Sequence, residues 1–128
     1  MTWLPRATLW LAGLGFLAFG AAFMVAPLAT MALAGIELES SLAATELRAF
    51  YGGLELALAF LLLRAALRPA LISEGLMLSM ATYGGIGTAR FVGILLSGSA
   101  TPFLWFALGT EWGLALLSWW ARSRLSRS

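Results

Sequence analysis

Four stretches of the chain are apolar for close to twenty residues or longer, at about 8–26, 46–66, 71–96 and 102–121. About 20 such residues in a helix cover the ~30 Å hydrocarbon core of a bilayer. Inside lipid every backbone N–H and C=O needs an internal partner, and a helix supplies one for each. The runs therefore predict an all-α chain: a polytopic integral membrane protein, folded as a four-helix transmembrane bundle in one domain over residues 1–128. The composition agrees. The chain is 61% hydrophobic and 11% charged, where an average soluble domain is about 25% charged.

The breaks between the runs are marked by proline, glycine and charge. Pro27 closes the first run, Pro69 breaks the second after Arg64 and Arg68, and Pro102 suits the first turn of the last. Residues 97–101 read as a tight turn, and residues 27–45 as a loop. The 28–38 part of that loop is apolar but too short to span, so it lies at the interface or folds back on the bundle. Ser41 or Thr45 is the expected cap of the second helix. Arg6 before the first run and Ala32-Leu33-Ala34 after it also resemble a signal peptide. The run exceeds the usual ~7–15-residue apolar core of such peptides, so a retained transmembrane helix is expected.

All eight cations are arginines, and six of them (Arg6, Arg64, Arg68, Arg122, Arg124 and Arg127) fall at one end of the expected bundle. The first loop and the start of the second run, at the other end, carry Glu37, Glu39 and Glu46. The positive-inside rule then puts both termini in the cytoplasm, across a cytoplasmic (inner) membrane. Trp3, Trp10, Trp119 and Trp120 fall near the inner interface, with Phe103 and Trp105 near the outer one. The arginines form no basic stripe, so nucleic acid is not an expected partner. Cysteine and histidine are absent, which removes disulfides, zinc-type sites, haem ligation by histidine and a histidine base. No cofactor and no metal is expected.

Four charged residues stand out within or near the ends of the apolar runs: Arg48, Glu55, Arg90 and Glu111. A charge at a helix centre costs about 2.5–3.5 kcal/mol on insertion scales, so such residues face the bundle and pair. At 1.5 Å per residue, Glu55 and Glu111 lie roughly 13 Å deep and Arg90 roughly 10 Å. They share one level in the outer half of the membrane. The expected layer has Arg90 forked between Glu55 and Glu111. Arg48 sits above, eclipsing Glu55 at i, i+7. Tyr51, Tyr83, Thr88 and Thr110 are candidates for further hydrogen bonds. Either the layer locks helix register, or it lines a site for a polar head or a proton.

Small residues recur every four positions at Ala81, Gly85, Ala89, Gly93 and Ser97, with shorter ladders at Ala49, Gly53, Ala57 and at Gly109, Gly113. These read as helix-packing seams, as do Gly13 and Gly20 on the first run. Gly52 and Gly53 are likewise assigned to packing. They are not a phosphate loop, lacking its strand and lysine.

The segment Glu46-Leu47-Arg48-Ala49-Phe50-Tyr51-Gly52-Gly53-Leu54-Glu55, then Ala89-Arg90-Phe91-Val92-Gly93, then a lone Glu111 in the last helix, resembles the bacterial family catalogued as domain of unknown function 4345. That family is grouped near DoxX-like small membrane proteins. The resemblance implies a four-helix membrane protein with Arg48, Tyr51, Gly52, Gly53, Glu55, Arg90 and Glu111 as signature positions, and no established activity. The leading expectation is a non-catalytic membrane module, either a homo-oligomer or an accessory subunit of a larger membrane complex. The alternative is a binder or carrier of a lipophilic molecule such as an isoprenoid, a quinone or a lipid. An enzyme with a carboxyl acid or base ranks third, and a proton or ion path fourth.

Overall fold

The computed structural model describes residues 3–125. Arg127 of the basic tail lies outside the described residues. The elements run α1 Trp3–Val25, α2 Pro27–Leu33, α3 Ser41–Leu47, a π-helical turn Arg48–Gly53, α4 Leu54–Leu67, a 3-10 turn Pro69–Leu71, α5 Ile72–Ser97 and α6 Pro102–Leu125. No strand occurs among the described residues.

Part of the loop expected at 27–45 is helical. Pro27 ends α1 and opens α2, because it cannot donate to α1 yet fits a first helical turn. The cap of α3 is Ser40, one residue before Ser41; its hydroxyl accepts from the Ala43 N–H at 3.0 Å. Pro69 stops α4, and Gly98 ends α5 in the left-handed region at φ +70°.

Among the described residues, two helices are long and apolar enough to cross a membrane: Trp3–Val25 and the continuous 27-residue helix Ser41–Leu67. The other two long helices, α5 and α6, have 26 and 24 residues, about 39 and 36 Å at 1.5 Å per residue. Glycine, serine, tryptophan, Arg90 and Glu111 dilute their apolarity.

α1 packs antiparallel on the second long helix. Gly13 meets Leu63, Gly20 meets Leu56, and Gly52 meets Met24. α5 and α6 form the other antiparallel pair, with Gly84 by Ala115 and Gly87 by Trp112. The buried Ser79 and Ser118 hydroxyls join them at 2.7 Å. Gly75 seats against Ala65 and Leu9 and so brings the two pairs together. A Tyr83–Ala12 hydrogen bond at 2.7 Å and a Phe16–Tyr83 ring stack at 4.4 Å tie α5 to α1.

Small and slender groups fill much of the interior: Thr8, Ala12, Ala59, Ala65, Ala66, Ser79, Ser118 and Ala121. Many of the largest side chains point out, among them Phe50, Phe60, Leu95, Trp105, Phe106, Leu116 and Trp119. Exposed apolar surface on a monomer in water is usually limited to small patches. In lipid the solvent is itself apolar, and close backbone approach replaces hydrophobic burial as the basis of helix packing.

Candidate functional site

The inner stripes of three helices bring the polar side chains together. On α5 the inward positions are Ile72, Gly75, Leu76, Ser79, Tyr83, Gly87 and Ile94, buried at three- to four-residue spacing, and Arg90 falls on this stripe. On α6, Glu111 lies in register with buried Leu108 and Ser118. On the second long helix, Glu55 follows buried Gly52 and precedes buried Ala59.

Arg90 and Glu111 form a two-pronged ion pair. Nε donates to Oε1 at 2.7 Å and Nη2 to Oε2 at 2.8 Å. It is the one salt bridge among the described residues. Only 28% of the Arg90 side chain and 12% of Glu111 are exposed, so a mostly protein surround strengthens the pair relative to water. Gly87 makes it reachable. A Cβ there would lie 3.2 Å from the Cβ of Glu111 and 2.6 Å from Trp112 Cδ1. The missing side chain lets α6 approach α5 one turn before Arg90. Phe91 against Trp112, ring centroids 5.2 Å apart, closes the same contact.

The expected fork of Arg90 across both glutamates is therefore corrected: its two prongs go to Glu111. Glu55 is half-buried, and its Oε2 is buried without a hydrogen-bond partner. Glu111 lies within electrostatic reach of Glu55, and Tyr83 within reach of both carboxylates.

Arg48 does not bond Glu55. Its Nε donates to the Met24 carbonyl at 3.0 Å, at the C-terminal end of α1. Helix ends leave carbonyls without partners and carry partial negative charge, so a guanidinium is favoured there. The π-turn is the reason for the change of partner. The Leu54 N–H donates five residues back, to the Ala49 carbonyl. Each residue in such a turn advances less around the axis than in an α-turn. Across residues 48–53 the lag accumulates, and the i, i+7 eclipse of Arg48 on Glu55 is lost.

The tyrosines divide. Tyr83 is buried and spends its hydroxyl on Ala12 of α1. Tyr51 is 46% exposed, packs on Phe23 at 5.0 Å, and lies within electrostatic reach of Arg90. Thr88 is exposed, and Thr110 donates to the Phe106 carbonyl of its own helix at 3.0 Å.

Within the single chain, the small residues assigned to packing divide. Gly52 does pack, against Met24. Gly85 and Gly93 have nothing within 4 Å of a would-be Cβ, Gly53 has only the Arg48 carbonyl at 3.6 Å, and Ala89 is exposed. These four face away from the bundle. Periodicity identifies a stripe but not the neighbour it meets, and α5 turns its Leu76, Ser79, Tyr83, Gly87 stripe inward instead.

The sequence model of the family described as "Domain of unknown function (DUF4345)" matches residues 4–122, nearly the whole chain. The chain belongs to that family. No curated protein and no solved structure matches it. In this DUF4345 chain the polar cluster comprises Glu55, Arg90 and Glu111, with Tyr51 at its edge. Sequence reasoning missed Gly87, the Ser79–Ser118 bond and the π-turn. The signal for Gly87 was its i, i+3 spacing from Arg90, which puts both on one helix face. Among the described residues no group of three potential metal ligands occurs.

Proposed function

We propose that this chain is a four-helix integral membrane protein of the cytoplasmic membrane, with both termini in the cytoplasm, and that its polar cluster binds the head of a lipophilic molecule without catalysis. The observation that carries the binding reading is Glu55 Oε2, a buried acceptor with no donor beside an ion pair that is already satisfied. A buried polar group without a partner costs about 1–3 kcal/mol. A head group with a hydroxyl would supply the missing donor, and the Nη1 of Arg90 can donate back to it. The tail of an isoprenoid, a quinol or a lipid would lie among apolar helices. The outward-facing large apolar side chains support the membrane reading.

Extraction in mild detergent followed by mass spectrometry of organic extracts tests the binding. The wild type is expected to carry a small lipophilic molecule that Glu55→Ala loses while still folding. Wild-type protein with no such molecule, and no thermal shift on adding isoprenols or quinols, overturns it.

A second reading has its own observation. Ala81, Gly85, Ala89, Gly93 and Ser97 are all exposed on α5, a small-residue stripe of the kind that seats another transmembrane helix. It supports a homo-oligomer or an accessory subunit of a larger complex. Gly85→Leu is expected to lower the cross-linked oligomer fraction in membranes; an unchanged fraction removes this reading.

A further inference from the structure

The arginine-rich end of the bundle carries a feature that the polar cluster does not use. Between the start of α5 and the end of α6 lies a groove of about 530 Å³, lined by Ser73, Met80, Trp119, Arg122, Ser123 and Leu125. A second groove of about 600 Å³ lies against Met80, Gly84, Trp112, Ala115, Leu116 and Trp119. Met80 and Trp119 line both, so the two adjoin. One end is polar and cationic, and the other is apolar throughout.

The length is informative. From Trp112 to Arg122 is ten residues of α6, about 15 Å, and from Ser73 to Gly84 is eleven residues of α5, about 16 Å. That is half of a ~30 Å hydrocarbon core, or one leaflet. The charge is informative as well. Arg6, Arg64, Arg68, Arg122 and Arg124 cluster at this end of the antiparallel helices, against Glu74. Arg122 is tied to the groove, because its Nε donates to the Ser73 carbonyl at 3.3 Å. Its two terminal nitrogens make no hydrogen bond among the described residues. Arg124 is instead held over the Trp120 ring, 5.3 Å from its centroid.

We propose that this groove holds one anionic glycerophospholipid of the inner leaflet, its phosphate on Arg122 and one acyl chain along Met80, Gly84 and Leu116. Arginine is matched to phosphate by its fork of donors, and basic pockets between helices on the cytoplasmic side are a known way to select anionic lipids. The proposal rests on the transmembrane reading above, but not on the Glu55 site at the other end of the bundle.

Full-length protein in detergent, given equal amounts of phosphatidylglycerol and phosphatidylcholine with identical chains, is read by native mass spectrometry. Wild type is expected to retain phosphatidylglycerol at least fivefold over phosphatidylcholine. Arg122→Gln keeps a donor for the Ser73 carbonyl but removes the charge, and is expected to bring the ratio below twofold. Gly84→Leu fills the apolar end and is expected to lose the bound lipid with Arg122 intact. Arg6→Gln, away from the groove, is expected to keep the wild-type ratio. Thermal melts check that each variant is folded. Equal retention of the two lipids by wild type, or a ratio that survives both groove variants, overturns the proposal. So does displacement by glycerol phosphate as efficient as by whole lipid, which would mean a free-anion site. Carbonate washing of membranes separates the two failures. A chain that washes off sinks the transmembrane reading and this site with it; a chain that stays without lipid preference sinks this site alone.

Discussion

Arg90 and Glu111 show how one contact decides the character of a site. With both oxygens of Glu111 held by one guanidinium, removing the arginine strands a mostly buried carboxylate, whereas removing both partners leaves nothing to strand. Arg90→Ala is expected to destabilise the folded chain by about 2 kcal/mol, within the usual range for hydrogen bonds to charged groups. Arg90→Ala with Glu111→Ala is expected to cost less than the single change. Melting temperatures in one detergent check this, and additive losses would show that the pair is not coupled. Arg48 has a different task, closing the last turn of α1 at Met24. Arg48→Ala is expected to cost about 0.5–1 kcal/mol, the scale of a cation at a helix C-terminus. The charges themselves were legible in the sequence, because they interrupt apolar runs. Their partners were not. Depth along a helix follows from counting residues, but rotation about its axis does not once a π-turn intervenes.

At the scale of elements, the glycines divide by what faces them. Gly75 sits where α5 touches both Ala65 and Leu9, and a Cβ there would lie 3.0 Å from Leu9 Cδ2 and closer still to the Ala65 Cβ. Gly75→Val is expected to push the helix pairs apart and cost about 1–3 kcal/mol, as overpacking does. Gly85 has open space, so Gly85→Ala is expected to leave the isolated chain unchanged or raise its stability by up to about 1 kcal/mol through helix propensity. Paired unfolding measurements on the two variants check the contrast, and equal losses would contradict the assignment of inner and outer faces. Both glycines lie in the same apolar run with small neighbours, so local sequence does not separate them. The helix ends are another matter. Pro27, Pro69, Gly98 and Pro102 act through their own backbone geometry, and all four coincide with element boundaries.

For the whole molecule, the four long helices alternate in direction, which brings the residue 68–71 turn to the arginine-rich end and residues 34–40 and 98–101 to the other. The chain contains no cysteine, so single cysteines report topology without background. An impermeant thiol reagent is expected to label Glu37→Cys and Ser99→Cys from outside intact cells, and Arg68→Cys only after the membrane is opened. Labelling of Arg68→Cys from outside would contradict the four-span arrangement. The four long helices, the breaks at Pro27, Pro69, Gly98 and Pro102 and the charges in apolar runs were legible from the sequence alone, whereas α2 and the early start of the second long helix were not. The legible properties are sums over neighbouring residues: hydrogen bonds closed within one helix, apolar length, and proline or glycine at a boundary. Helix packing alone sets the pairing of Arg90 with Glu111, the unpartnered oxygen of Glu55 and the outward face of the Ala81–Ser97 stripe. Those outcomes depend on how far each helix rotates and how closely its neighbours approach. Gly75 and Gly87 set those distances through contacts with residues distant in the chain, and the π-turn sets the rotation of the second long helix.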